Sequence, residues 1–547
     1  MNKKQLALAS MAAILISLTA CGNKDKAEKS DAAGISVPAA DFSQLPDVKP
    51  DWINSQIIND FDGKGLTDDD FAAALERLKE DGMSWESESG SDGNYTLRNV
   101  AFLEENITAS EIKVSGLRLL EDNSLFVDTL EFIDLQQPES EFDPAVKIAR
   151  FAIDLPTNVQ IDQMVQAFEN HPEFSMFSDG LSEPLPKGFL SFGSGYMEDI
   201  TFADSDVKMS LDFLGWAEEG KRRASMLMSN LKMESVNSDD NVDIRIDEIF
   251  INGIDMDYLE GELVEDPFRS DLFSRQVRSM KIDTMEIKAA DVDMKLPELL
   301  VWYTEPENGR YYSYFEMPSL TIDAIKGDGP SDFVDTLGTL GYDRLEFAGR
   351  TTAVMDEKLD LMEIDHFDIS MKDGFSIGMD YKITGGDAMM TGIKKSIARI
   401  EAWEEGEGDD DFDGETDMAE AFNLLNIEQF EISFKDDSIL DRAFKLAAAE
   451  QGGSVAMVRQ QAKAAVMMSS LAAESEYQMK LTKSFAESLQ GLIDDGGTFK
   501  FSMTQDKNYD LGSALMNIFS EELGVFGEEV DLDETLKALN IKFEHQK

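Results

Sequence analysis

The chain has 547 residues, with 109 Asp and Glu against 49 Lys and Arg and a formal net charge of -60. A surface this acidic repels nucleic-acid phosphates and anionic headgroups, so nucleic acid is excluded as a partner while cations and basic partners remain open. Hydrophobic residues make up 42%, enough to build a core, so the charge belongs to the surface of a folded protein rather than to a disordered chain. At this length one very extended domain or two to four compact ones are expected.

The N-terminus reads MNKKQLALASMAAILISLTA, with Lys3 and Lys4 ahead of an apolar run from Leu6 to Leu18 and small residues before Cys21. This is the order of a secretory leader, too short to be retained as a membrane span. Leu18, Thr19, Ala20 and Cys21, followed by Gly22, resemble the lipobox of bacterial lipoproteins, in which the leader is cut before a cysteine that carries diacylglycerol. An ordinary signal peptide with an unrelated cysteine is the alternative. Cys21 is the only cysteine, so no intramolecular disulfide can form in this exported chain. In lipoproteins of double-membraned bacteria an aspartate after the cysteine retains the protein in the inner membrane. Gly22 and Asn23 stand there, so the resemblance implies the outer membrane, facing the periplasm.

Residues 23–50 mix Lys, Asp, Ala, Ser and Pro without periodicity and read as a tether of about 30 Å for a flexible coil. From there to residue 400 the chain reads as a repetitive β-rich body. A pattern of apolar, usually acidic, any, apolar recurs as VDTL at 127–130, IDEI at 246–249, IDTM at 282–285, IDAI at 322–325, IDHF at 364–367 and IEQF at 427–430. The middle copies start at 246, 282, 322 and 364, which suggests a degenerate repeat of roughly 40 residues. In VDIRIDEIFINGIDM, Val242, Ile244 and Ile246 alternate, then Ile249 and Ile251 alternate in the opposite phase. Period two means strand, and a three-residue step turns the apolar set to the other face unless the chain bulges or bends. Kinked or bulged strands are therefore predicted, with the acid at the kink.

A larger unit is a helix, a residue tolerant of left-handed geometry, and a strand. SDFVDTLGTLGYDRLEF does this through Gly341, MAEAFNLLNIEQFEISF through Asn426 and DLDETLKALNIKFEH through Asn540. Further helices are predicted over 159–170, 388–404, 438–450 and 454–493. The last is rich in Ala and Met, including Met457, Met467, Met468 and Met479, and reads either as a packed helix pair or as a greasy lid. The repeated strands resemble the curved sheets of AsmA-like envelope proteins, and that resemblance implies a surface that shelters lipid.

Signatures of catalysis are missing. His171, His366 and His545 are scattered, and neither HExxH nor CxxC occurs. SFGSGYM around Ser194 lacks the GxSxG spacing, so its glycines are read as a loop, and GDGPSD at 327–332 reads as a turn. Acid pairs such as Asp204 and Asp206 are too common to single out. One segment stands apart: DDDFDGETDMAE at 409–420 has the spacing of a calcium loop. In the EF-hand that it resembles, Asp409, Asp411 and Asp413 would offer side-chain oxygens, Glu415 a backbone carbonyl, Asp417 a direct or water-mediated contact and Glu420 two oxygens. Thr416 stands where such loops usually hold an aliphatic residue, so calcium site and acidic linker both remain open.

The expected fold is α+β: an elongated, mostly antiparallel curved β-sheet of degenerate repeats with interspersed helices and a helix-rich C-terminal part. The expected order is a leader at 1–20, lipidated Cys21 and tether to 50, the β-rich body at 51–400, an acidic or calcium-loop-like segment at 401–418 and helices with terminal strands at 419–547. The expected function is a non-enzymatic, lipid-anchored envelope scaffold or lipid-binding module, with membrane, lipid or another envelope protein as partner. A calcium-stabilised adhesion module and a carboxylate-dependent hydrolase are the alternatives.

Overall fold

The structure is a computed structural model that describes residues 68–547 outside 155–193, 256–276, 400–419, 510–531 and several shorter stretches. Two compact units divide the chain, Asp41–Trp302 and Tyr303–Lys547, the second also counting residues 1–40.

The first unit opens with α1 (Asp68–Glu80) and continues through β1 (Met83–Ser84), β2 (Ser87–Ser91), β3 (Asn94–Phe102), β4 (Ile107–Ser115), β5 (Arg118–Leu119), β6 (Leu125–Phe126) and β7 (Thr129–Gln137). Then come β8 (Ala145–Asp154), β9 (Ser194–Ala203), β10 (Val207–Gly220), β11 (Arg223–Ser235), β12 (Asp243–Asp255), β13 (Ser279–Ala289) and β14 (Val292–Tyr303). From β7 to β14 each strand pairs antiparallel with the next, and on the other side β7 pairs with β4 and β4 with β3. β1 and β2 finish this side by pairing with β3, and α1 presses Ala74 and Leu75 into a core with Leu97, Ile112 and Val127.

The apolar phase shift is solved here without an inserted residue. Asn99, Asp134, Asp199, Asn230 and Thr284 have φ of 52°, 52°, 49°, 56° and 46°, one on each of β3, β7, β9, β11 and β13. Register runs unshifted past each of them, for example Arg98↔Glu111 then Val100↔Ala109, and Ile246↔Met285 then Glu248↔Asp283. A left-handed residue reverses the local twist, and the core displays the result. Leu97 and Val100 on β3, and Ile112 and Ala109 on β4, are three residues apart yet lie in one buried cluster, with Phe132 and Leu135 of β7 both packed against it. Asn and Asp are the side chains that enter this conformation most readily. Their polar ends tie the band together: Ser110 Oγ donates to Asp134 at 2.8 Å and Asn230 Nδ2 to Asp212 at 2.9 Å.

The second unit contains β15 (Arg310–Ala324), α2 (Asp332–Leu340), β16 (Arg344–Asp356), β17 (Leu361–Met371), β18 (Phe375–Thr384), β19 (Asn426–Asp436), α3 (Ile439–Gln451), α4 (Val455–Ser469), α5 (Glu476–Asp495), β20 (Gly497–Met503), α6 (Leu532–Ala538) and β21 (Lys542–Gln546). Strands β15 to β21 pair antiparallel in sequence order. Here the three-residue steps are absorbed by bulges. Asp365 and His366 together stand where β16 and β18 each offer one residue, keeping Ile364 and Phe367 in step, and His366 has φ 116°.

Several expectations are corrected. Left-handed geometry in IDTM and IDHF falls on the third residue, Thr284 and His366, rather than on the acid. The 40-residue spacing is not a structural unit: IDEI on β12 and IDTM on β13 pair with each other, whereas β16 lies between IDAI on β15 and IDHF on β17. No separate helix-rich C-terminal part exists among the described residues, because α3 to α5 lie between β19 and β20, and α6 between β20 and β21, and these strands extend the sheet that holds β18. The helix predicted over 454–493 is broken, since Ser475 caps a new helix by accepting from Gln478 N. Gly341 (φ 77°) and Asn540 (φ 42°) terminate their helices as expected, but Asn426 is the first residue of β19 with no left-handed φ. Of the other helices, 159–170 lies outside the described residues, and the described residues of 386–399 are helical.

The end of β16 is locked by a buried carboxylate. Asp356 Oδ2 accepts from Arg310 Nε at 2.9 Å and Nη2 at 2.6 Å, while Oδ1 accepts from the backbone N–H of Lys358 and Leu359. Burial works against its ionisation, but the guanidinium and the two amides outweigh that and hold its pKa below the ordinary carboxylate value.

Two outcomes are expected. Asp199→Val, which forces a β-branched residue to positive φ, should lower the urea midpoint by the equivalent of about 1–2 kcal/mol, and Asp199→Gly should not; equal midpoints would refute the role given to the band. Because the folded pKa of Asp356 is depressed, its stabilisation is present above its unfolded pKa, about 4, and is lost as pH falls through the folded value. Asp356→Asn should therefore melt below the parent at pH 7, with the gap closing in acid; a gap constant from pH 7 to 3 would contradict this.

Candidate functional site: the apolar faces of the sheets

Cross-strand pairing aligns apolar side chains into rows that run perpendicular to the strands. Above the left-handed band in the first unit, Phe132 faces Phe151, then Met197 and Leu214. The row continues through Met228, Ile249, Ile282 and Leu299. Below the band, Leu135, Ile148, Ile200 and Leu211 form a second row, resumed by Leu231, Ile246, Met285 and Leu296. At about 4.8 Å per strand each row is about 34 Å long from β7 to β14. No charged residue interrupts either row.

The opposite side of the same strands is mixed above the band, where Leu227, Phe250 and Leu300 are buried in a row with Lys281, and polar below it. Lys232, Arg245, Glu286 and Lys295 form one row, and Glu234, Asp243, Lys288 and Asp293 the next. On that side Glu131, 2% exposed, accepts from Lys113 Nζ at 2.8 Å and from Arg150, which lies 5.1 Å over the ring of Tyr196. Burial opposes the charge on Arg150, yet the Glu131 carboxylate outweighs it and raises the pKa. Glu131 is thus a satisfied structural charge. Its cross-strand partners could be read only once Lys113↔Glu131 register was known.

Gly195 shows how closely the apolar side is fitted. It lies within β9 rather than in the expected loop, and a Cβ there would come 2.4 Å from the ring of Trp216. That ring packs against the α1 core.

The second unit repeats the arrangement. Ala353, Ile364, Tyr381, Phe430 and Met503 form one row, and Phe367, Met379, Ile432, Phe501 and Phe543 another. Burial pushes the Tyr381 phenol up to about 12, so it stays neutral. Over β20 and β21, α5 covers the apolar side with Phe485, whose ring lies 5.1 Å from Phe543 and 6.1 Å from Phe499.

The residues singled out from the sequence are not brought together. Cys21, Asp409, Asp411, Asp413, Glu415 and Asp417 lie outside the described residues, as do His171 and Asp204. Glu420 is exposed and helical. His366 Nδ1 lies 3.4 Å from Asp380, and His545 Nε2 lies 2.7 Å from the Gly496 carbonyl. Among the described residues no three His, Cys, Asp or Glu are grouped to hold a metal ion, and no helix is long and apolar enough to cross a membrane.

A family model described as "Uncharacterized protein" matches residues 368–524, from β17 to beyond β20. No curated protein matches the chain.

Gly195→Leu should lower the thermal midpoint of the first unit by displacing Trp216 and should raise its fluorescence emission wavelength relative to the parent; an unshifted emission maximum would show that the ring does not depend on the glycine.

Proposed function

We propose that the protein is a lipid-anchored cell-envelope protein that shelters acyl chains along the apolar faces of its sheets and acts by binding rather than by catalysis. In this reading Cys21 carries the lipid, residues 23–50 tether the body to the outer membrane on the periplasmic side, and the apolar side of each unit's strands takes up the chains. The observation that carries it is the set of uninterrupted apolar rows between Phe132 and Leu299 and between Leu231 and Leu296. A row of side chains offers no backbone donors or acceptors and no charge, which suits a linear hydrocarbon chain better than a peptide. Met197, Met228 and Met285 add the adaptable surface that serves varied apolar ligands. The polar side and the acidic surface disfavour anionic headgroups near the body, which points to neutral or zwitterionic lipids.

Native mass spectrometry of protein taken from its host envelope without detergent tests this. Bound mass in the range of a lipid is expected beyond that attached to Cys21. Ile249→Asp, which places a charge between Met228 and Ile282, should remove the bound mass, and Arg245→Asp on the polar side should leave it. A parent protein without lipid that also takes up none from offered vesicles would sink the proposal.

A further inference from the structure

α4 presents an exposed side that is unlike the rest of this acidic protein. Its sequence, VAMVRQQAKAAVMMS, contains only two charged residues, Arg459 and Lys463. Both turn inward and are paired: Arg459 bonds Asp441 of α3 and stacks over Phe444, and Lys463 Nζ lies 2.6 Å from Asp494 of α5. Val458 is buried beside them. Met457, Gln460, Gln461, Ala464, Ala465 and Met468 are exposed, with Met457 at 45% and Met468 at 71%. Eleven residues make just over three helical turns, so Met457 and Met468 lie on one stripe.

We infer that this side of α4 docks against the same helix of a second copy, antiparallel about a two-fold axis between residues 462 and 463. The pattern is self-complementary in that register. Met457 meets Met468 at each end, and between them Gln460 meets Ala465 and Gln461 meets Ala464, so in the middle of the stripe each long side chain lies against a short one, as interdigitated helices require. Charge selects the partner. Two bodies of net charge -60 repel over most of their surfaces, and this uncharged stripe is where they can approach without opposing carboxylates. A bilayer is a poorer occupant, because interfacial helices carry Lys or Arg on the polar side and Trp, Phe or Leu on the other. A 15-residue helix spans about 22 Å, so its stripe supplies less than the roughly 800 Å² per partner of a stable interface. The dimer is accordingly weak in solution, strengthens with salt as repulsion is screened, and gains from confinement on one membrane.

The test is disulfide trapping in the intact envelope. One copy carries Gln461→Cys and a co-expressed copy Ala464→Cys; both positions are exposed, and chains bearing only Cys21 report the background. A cross-linked dimer that needs both cysteines is the expected result, and its yield should fall at least fivefold when both copies also carry Met468→Glu. In sedimentation velocity the parent should show a dimer fraction that rises with NaCl. Absence of the 461–464 cross-link, or a cross-link that Met468→Glu leaves unchanged, overturns the inference.

Discussion

Everything in this fold depends on how a strand changes the phase of its apolar residues without losing its place in the sheet. Side chains alternate with a period of two, so a three-residue apolar step would send half of each strand's hydrophobic residues into water. The first unit answers with single left-handed residues opposite unshifted partners, from Asn99 on β3 to Thr284 on β13. The second answers with bulges, as at Asp365 and His366. Both devices serve one end: apolar residues on either side of the break stay on the same side of the sheet. The left-handed route places Asn or Asp at most breaks, where the short polar side chain lowers the conformational cost and also bonds a neighbouring strand.

Charges on the other side of the sheets, some of them in rows with buried Tyr196, Leu227 and Phe250, are satisfied laterally. Glu131 is held between Lys113 and Arg150, and Asp356 between Arg310 and two turn amides. Lys500 reaches Glu431 at 2.8 Å, and Lys372 reaches Glu346 at the same distance. The scarce bases of this chain are thus spent where strands crowd carboxylates together. Helix ends draw on the same supply: Arg442 of α3 donates to the Leu340 and Gly341 carbonyls that end α2 and stacks over Tyr342 at 4.0 Å.

The strands were legible in the sequence because period-two alternation is local, and so was the break in phase at IDEI and IDTM. The residue that takes the break was not legible, since Asp283 and Thr284 are both plausible by position and only the folded backbone, with φ 46° at Thr284, places it there. Likewise the 40-residue spacing misled, because hairpins of unequal loop length put IDEI and IDTM on neighbouring strands but IDAI and IDHF on strands two apart. Gly195 read as a loop glycine because nothing local announces Trp216, which arrives from the neighbouring strand β10. The apolar rows were invisible for the same reason: each takes one residue from each strand, and their continuity exists only after pairing.

Charge and apolar surface then divide the molecule's possible contacts between them. Where carboxylates are in excess, anionic surfaces and other copies are repelled, and among the described residues Lys113, Arg150, Arg310 and Lys500 are already occupied by carboxylates of neighbouring strands. Uncharged surface among the described residues takes two forms: the long apolar rows of the sheets and the exposed stripe of α4 with its Met, Gln and Ala. An interaction on the first kind of surface is insensitive to salt in its specificity, because no ion pair defines it. On the second, the proposed pairing of copies would work against the repulsion of the surrounding acids, so it would depend on ionic strength and on how densely the copies are held together.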